Sequence, residues 1–278
     1  MREIVVIPTV VVLSVLLCSL AAPPEAFGSF EFPDFCSGPV EKLRLNPFAA
    51  IVDCRLRLVP EETERTGSAY YVDKQSIAQG FETEFVLQIT GGDTRRSDGL
   101  AFVVQNESLS AIGYMGGQIG YAAHDNEDPW HDGIKNSVAV EFDTFKDSTW
   151  YPDLPACHVS IQSRGVLDNS ANHTYSLGAT MIPDLRDEQE HTARVQYVPG
   201  TLRVFLDNLD TPVLSATVDL AELLNLDAGN AWVGFTAANG SLRSNHDILR
   251  WEFAEVPEPA TVLLLGLGAL AVIRKRKG

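Results

Sequence analysis

The chain has 278 residues, 37 of them acidic and 21 basic, for a formal net charge of −16. That balance argues against a nucleic-acid backbone as partner, because neutralising phosphates takes clustered Lys and Arg. It suits solubility outside the cell and cation binding, without specifying either.

The chain opens with Met1-Arg2-Glu3 and an apolar run from Ile4 to Leu20. A charged start, an apolar stretch and then small residues is the layout of a secretory signal, here expected to cover residues 1–28 with cleavage after Ala21 or Gly28. A permanent anchor is the alternative, although the run is near the short end of a span of ~17–25 residues. Cys18 follows Leu17, too bulky a neighbour for lipoprotein processing. Beyond this segment remain Cys36, Cys54 and Cys157. Export permits a disulfide. Cys36 and Cys54 are near enough in sequence to close a modest loop, and three buried thiols is the alternative.

Residues 29–254 read as one all-β domain, within the ~200–250 residues such a domain can reach. Short apolar runs are bounded by Gly, Pro, Asn and Asp, as in a sandwich. Phe81, Thr83, Phe85, Leu87 and Ile89 alternate with Glu82, Glu84, Val86 and Gln88, so one strand face is mainly apolar. Leu100–Gln105 is continuously apolar, as expected of a strand covered on both faces. Further strands are predicted over Ser137–Phe145, Cys157–Ser163, Thr192–Val198, Thr201–Leu206, Pro212–Val218, Ala231–Ala237 and Asp247–Phe253. Pro199-Gly200 predicts a tight turn between two of them. Asp219, three residues before Glu222, predicts the start of a short capped helix. Many antiparallel strands in one domain mean a two-sheet antiparallel jelly-roll sandwich.

The informative stretch begins at Ser137. Along a strand, Val138, Val140 and Phe142 fall on one face, and Ala139, Glu141 and Asp143 on the other. Two carboxylates thus leave the same face at a strand end. A loop with Asp147 and Asp153 follows, and then a strand opened by His158. Clustered carboxylates repel one another, and a bound cation removes that cost. A histidine beside them points to a transition metal, and oxygen-only ligands to calcium. An acidic, solvated loop is the bland alternative.

Val140-Glu141-Phe142-Asp143-Thr144-Phe145, then Asp153 and His158-Val159-Ser160-Ile161, resembles the metal-binding loop of legume lectins and their bacterial relatives. Ser97-Asp98-Gly99-Leu100-Ala101-Phe102 and Gly116-Gly117-Gln118-Ile119-Gly120 resemble two further segments of that family. Val233-Gly234-Phe235-Thr236-Ala237 and His246-Asp247-Ile248-Leu249-Arg250-Trp251-Glu252-Phe253 resemble its closing strands. The motifs stand in the family's order and span roughly Phe30 to Phe253.

The resemblance implies a concanavalin-like fold and an exported, non-catalytic, carbohydrate-binding protein. It implies that Glu141, Asp143, Asp153 and His158 hold a transition metal, often manganese. Asp143, Asp153, Asp147 and the carbonyl of Phe145 would hold calcium. For the sugar, it implies Asp98 as acceptor, the N–H of Gly117 as donor and the ring of Phe145 as an apolar platform. Asn239, Gly240 and Ser241 fall in its last specificity loop. It also implies a non-proline cis bond between Ser97 and Asp98. The family usually has Asn where this chain has Asp147; a carboxylate ligates calcium but cannot donate to a sugar.

The chain ends in Val256-Pro257-Glu258-Pro259, an apolar stretch from Ala260 to Ile273, and Arg274-Lys275-Arg276-Lys277. The stretch is shorter than the ~20 residues of a spanning helix, and its basic tail belongs on the cytoplasmic side. Residues 255–278 resemble the PEP-CTERM sorting signal of exported bacterial proteins. That implies an exosortase-type protease, transient membrane association, and a final place at the cell envelope, surface or matrix. A plain C-terminal anchor is the alternative. Both ends together carry five of the basic residues and two of the acidic ones, so residues 29–259 have a net charge of −19.

Three functions compete. One is a calcium- and manganese-dependent lectin for glycans or exopolysaccharide. The second is a matrix protein that kept the fold and lost sugar binding. The third is a glycoside hydrolase, which needs an acid and a nucleophile or base flanking the scissile bond; Phe145 interrupts the Glu-x-Asp-x-Glu spacing that would provide them. A homo-oligomer is compatible with all three. Asn106-Glu107-Ser108, Asn172-His173-Thr174 and Asn239-Gly240-Ser241 match a glycosylation pattern, which in a bacterial chain is mostly chance. His124, Asp125, Asp128, His131 and Asp132 form a polar loop more consistent with solvation than with a metal. Trp130, Trp232 and Trp251 read as packing residues, and Trp150 as packing or platform.

Overall fold

In a computed structural model, the structure describes residues 29–92, 98–124, 132–146, 152–155 and 157–256. The two terminal segments, Ser97 with its peptide bond to Asp98, Asp147, Trp150, and Asp125, Asp128, Trp130 and His131 lie outside the described residues.

The described strands, in chain order, are β1 (Phe30–Phe32), β2 (Leu43–Pro47), β3 (Ala50–Val52), β4 (Arg55–Val59), β5 (Arg65–Tyr71), β6 (Gln75–Ser76), β7 (Phe81–Thr90) and β8 (Gly99–Gln105). They continue with β9 (Ser137–Asp143), β10 (His158–Gln162), β11 (Ser176–Met181), β12 (His191–Val198), β13 (Thr201–Leu206), β14 (Leu214–Ala216), β15 (Asn230–Asn239) and β16 (Asn245–Glu255). They form two eight-stranded antiparallel sheets. One runs β14-β13-β12-β7-β16-β4-β3, with β1 beside β16. The other runs β11-β10-β9-β8-β15-β5-β2, with β6 beside β15.

The sandwich is built by alternation. In β7 every second residue, from Phe81 to Ile89, is buried and the intervening ones are half-exposed. These side chains meet Phe102, Phe142 and Phe235 of the facing sheet, with Phe85 and Phe235 edge-to-face at 4.9 Å. Each large apolar side chain so buried contributes about 1.5–3 kcal/mol, so the core between the sheets supports the fold without help from the strand ends.

Strands β8 and β9 are buried along their whole length. Their second face is roofed by residues 111–122 together with Ile134. There Ile119, Tyr121, Ala122 and Ile134 pack with Ala101, Val103 and Ala139 in a separate small core. This roof turns one face of the middle strands into a buried environment for Glu141 and Asp143.

Asp219 caps the single described α-helix, Leu220–Leu223, accepting from the N–H groups of Ala221 and Glu222. Cys36 and Cys54 are bridged, and Cys157 is a buried free thiol. Trp251 is fully buried with its Nε1 donating to Thr83, and Trp232 donates to the Val72 carbonyl. The predicted strand from Ser137 stops at Asp143. The Asp143 carboxylate accepts from the N–H of Phe145 at 2.6 Å, and this turn replaces the next rung of the ladder.

Candidate functional site

The site grows from strand register. Asp143 stands opposite Gly99 of β8 and opposite His158 of β10, while Glu141 stands opposite Ala101 and Ser160. Side chains of paired residues share a face. Glu141, Asp143, His158 and Ser160 therefore meet on the roofed face, with small residues on β8 leaving room. Gly99 has φ of 151°, and a Cβ there would strike the Phe142 carbonyl. Only glycine allows β8 to lie this close to the carboxylates.

Glu141 is 1% exposed. Its Oε2 accepts from the Tyr121 hydroxyl, delivered by the roof, and its Oε1 from Ser160 and, at 3.3 Å, from Gln162. His158 Nε2 lies 3.5 Å from Glu141 Oε1 and 3.6 Å from Asp153 Oδ1. The other ring nitrogen, Nδ1, faces the Pro155 carbonyl at 3.3 Å. A carbonyl only accepts, so Nδ1 is the donor there and Nε2 is the ring atom left facing the carboxylates.

His173 joins them, on a short turn (His173–Tyr175) capped by Asn172. Its Nε2 lies 3.4 Å from Glu141 Oε1, 3.5 Å from Asp153 Oδ1 and 3.1 Å from His158 Nε2. Its N–H donates to the Pro152 carbonyl at 3.1 Å, which ties the turn to the segment bearing Asp153. Two overlapping groups of side chains could hold a cation: Glu141 with His158 and His173, and Asp143 with Asp153 and His158.

The electrostatics fit a cation. Burial pushes the Asp143 carboxyl well above the usual range, and the charges of Glu141 and Asp153 push it further. Burial opposes the charge on Glu141 too, but hydrogen bonding to His158 and His173 outweighs it and holds that carboxyl low. His158 is raised. Burial disfavours its charged form, and the Glu141 hydrogen bond with the Glu141 and Asp153 charges overcomes this. The donor set, buried carboxylate oxygens with imidazole nitrogens, is one that could hold a metal ion. For catalysis the arrangement is poor. Both oxygens of Glu141 are occupied, and neither faces open space.

Beside this cluster, Asp98 directly precedes β8 and is 5% exposed. Its carbonyl accepts from Thr144 N at 2.9 Å and Thr144 Oγ1 at 3.0 Å, and its N–H donates to Ala238 at 3.0 Å. The segment after the carboxylates is thereby fastened to Asp98. Gly116, Gly117 and Gln118 form a short turn, and the carbonyl of Ile119 accepts from Thr236 Oγ1 of β15 at 2.8 Å. A Cβ on Gly240 would lie 3.1 Å from Asp98 Oδ2 and 3.2 Å from Gly116 Cα. Asp98, the glycine turn and the Gly240 loop thus converge, with Gly117 buried, Phe145 half-buried and Ser241 exposed.

Asn239 differs from the expectation for its loop. Its amide faces the carbonyls of Pro60, Glu62 and Ser244, and its Oδ1 accepts from Ser244 N. The side chain staples the loop from within. Behind it, buried His246 joins the Gly99 carbonyl at 2.8 Å to Ser244 Oγ at 3.0 Å. Sequence reasoning took Asn172-His173-Thr174 as a chance glycosylation match and missed His173. A second imidazole soon after an acidic loop was the available signal.

Comparison with known proteins agrees with this geometry. The legume lectin domain matches residues 28–263, and the PEP-CTERM protein-sorting motif matches residues 255–277. Lectin 8 of Medicago truncatula is 28% identical over 205 residues, covering 67% of this chain and 68% of its own. A putative L-type lectin-domain containing receptor kinase (II.2) of Arabidopsis thaliana is 28% identical over 255 residues, covering 81% of this chain but 35% of the kinase. This chain therefore spans about a third of that receptor. Among solved structures, a lectin from Bauhinia forficata in complex with GalNAc superimposes with a TM-score of 0.66 at 26% identity, over 82% of this chain and 97% of that one. The basic winged bean lectin with Tn-antigen gives 0.63 at 26% identity, over 82% and 98%. Both of these solved structures are of lectins. The sorting motif places it at the bacterial surface or envelope. The chain is a member of the legume lectin domain family that carries a C-terminal PEP-CTERM sorting motif.

Proposed function

We propose that the protein is a metal-dependent carbohydrate-binding protein, displayed at the cell surface or in the matrix after processing by an exosortase-type protease. Its partners would be glycans or exopolysaccharide. The observation that carries this reading is the coupling of two features. A buried carboxylate–imidazole cluster ends β9, and Thr144, the next residue, is hydrogen-bonded to Asp98.

In this reading Glu141, Asp143, Asp153 and His158 hold a transition metal, manganese in the family's usual form. Asp143, Asp153, Asp147 and the Phe145 carbonyl hold calcium. Bound cations would neutralise the carboxylates and fix the segment after β9. Asp98 then accepts from sugar hydroxyls, the Gly117 N–H donates, and Phe145 offers an apolar face. Asn239 holds the loop that presents Gly240 and Ser241. A glycan array with the protein and Asp98→Ala tests it. The wild type should give a defined set of sugars that the variant loses; equal signals from both would reject Asp98 as the acceptor.

A second reading, a matrix protein without sugar binding, is favoured by one feature: Asp147 stands where the family usually has the amide that can donate to the sugar. An array without signals, from protein that binds metal, would support it.

A further inference from the structure

The His173 imidazole is placed as a ligand, and it stands outside the four residues that the family resemblance assigns to the transition metal. Donors bound to one ion at about 2.0–2.2 Å, at tetrahedral or right angles, lie roughly 2.8–3.6 Å from their neighbours. His173 Nε2 meets this test against three donors at once: 3.1 Å to His158 Nε2, 3.4 Å to Glu141 Oε1 and 3.5 Å to Asp153 Oδ1. An ordinary surface histidine does not sit this way. Its side chain is 12% exposed, and the His158, Glu141 and Asp153 side chains it faces are 0–2% exposed.

The approach of two Nε2 atoms is itself informative. His158 Nδ1 faces the Pro155 carbonyl, which leaves Nε2 as the ring atom turned toward the cluster. A second Nε2 at 3.1 Å needs either a proton between them or a cation facing both. Four donor atoms from four side chains, two nitrogens and two carboxylate oxygens, converge on the same space, which one cation can face at once and one proton cannot. The turn is also held from its backbone, by the capping of Thr174 N on Asn172 and the bond from His173 N to Pro152. Orientation of the ring is therefore built into the fold, as ligand support usually is.

We propose that His173 is a direct ligand of the transition-metal site, and that this second imidazole, beside His158 and the carboxylates, makes the site select zinc over manganese. The chemistry follows from donor type. Carboxylates suit manganese, whereas imidazole suits zinc and its neighbours, and affinities already rise from manganese toward zinc along the first row. Each added imidazole widens that gap. The proposal rests on the metal-binding half of the function proposed above and not on sugar recognition.

The test uses the full chain, stripped with a chelator and reloaded with zinc or manganese alone. X-ray absorption at the zinc edge counts imidazoles directly: two are expected in the wild type and one in His173→Ser. Titration should show zinc bound more tightly than manganese, with zinc affinity falling about tenfold or more in His173→Ser. Manganese affinity should change much less. One imidazole in the wild-type spectrum, or zinc affinity unaltered by the substitution, overturns the proposal. If His173→Ser does not fold, the wild-type spectrum alone decides. Sugar binding read in parallel separates the two ideas, since two imidazoles without sugar binding would sink the lectin function and leave this assignment standing.

Discussion

His158 stands directly opposite Asp143 across the β9–β10 pair. This register puts an imidazole and a carboxylate on one face beside Glu141. A slip of one residue would bring Val159 and Phe142 there instead, because side chains alternate with period two. His158→Ala is therefore expected to abolish transition-metal binding while the fold persists, since the core between the sheets does not depend on it. Elemental analysis after dialysis against trace metals, with circular dichroism, checks this. A full complement of metal in the variant would contradict the assignment.

Gly240 lies against both Asp98 and Gly116. The methyl group of Gly240→Ala would sit 3.1 Å from Asp98 Oδ2, at the carboxylate expected to accept from sugar. Affinity for any sugar identified on an array should fall at least tenfold, with little change in melting temperature, because the loop is stapled independently by Asn239. Calorimetric titration of the variant provides the measurement.

Asp147→Asn restores the amide usual in the family. A carboxylate cannot donate, and one added hydrogen bond is worth about 0.5–1.5 kcal/mol. Sugar affinity should rise by that amount. Titration showing no gain would mean that residue 147 is not at the sugar.

His191 offers a pH dependence far from the metal cluster. Burial lowers its pKa, but hydrogen bonds to Asp207 at 2.9 Å and Asp187 at 3.1 Å, with both charges, raise it overall. A histidine raised in the folded state contributes stability that is fully present below its unfolded value of about 6.5. That contribution is lost as pH rises through the folded value. Melting temperature should therefore decline as pH rises above about 6.5. In His191→Gln this component of the slope should be absent.

Cys157 should be inert. It is 3% exposed, its thiol donates to Asp184 at 3.2 Å, and burial pushes its pKa up to about 11. Thiolate is the reactive form. Peptide mapping after alkylation should find Cys157 modified only in unfolded protein.

Much of the sandwich was legible because half-buried strands write their alternation into the sequence, as β7 does, and doubly covered ones appear as apolar runs, as β8 does. The six strands before β7 were not recognised. In β4, Arg55 and Arg57 interrupt the apolar residues, and only the fold reveals that Arg57 pairs with buried Asp247 at 2.8 Å. Edge strand β11 has no consistently buried face to leave a pattern. At the site, Glu141, Asp143 and His158 were readable from strand period. His173 was not, because a turn has no period and its approach to His158 is a tertiary fact. The inward turn of the Asn239 side chain was not readable either, because it follows from three carbonyls that converge there only in the fold.

The central claim is that sugar recognition depends on the metals beside β9. The direct measurement is binding to a glycan array by the full chain before chelation, after chelation, and after calcium and the transition metal are restored. The account predicts a defined set of sugars that disappears with the metals and returns with them. Binding to the same sugars at unchanged strength in metal-free protein would contradict it.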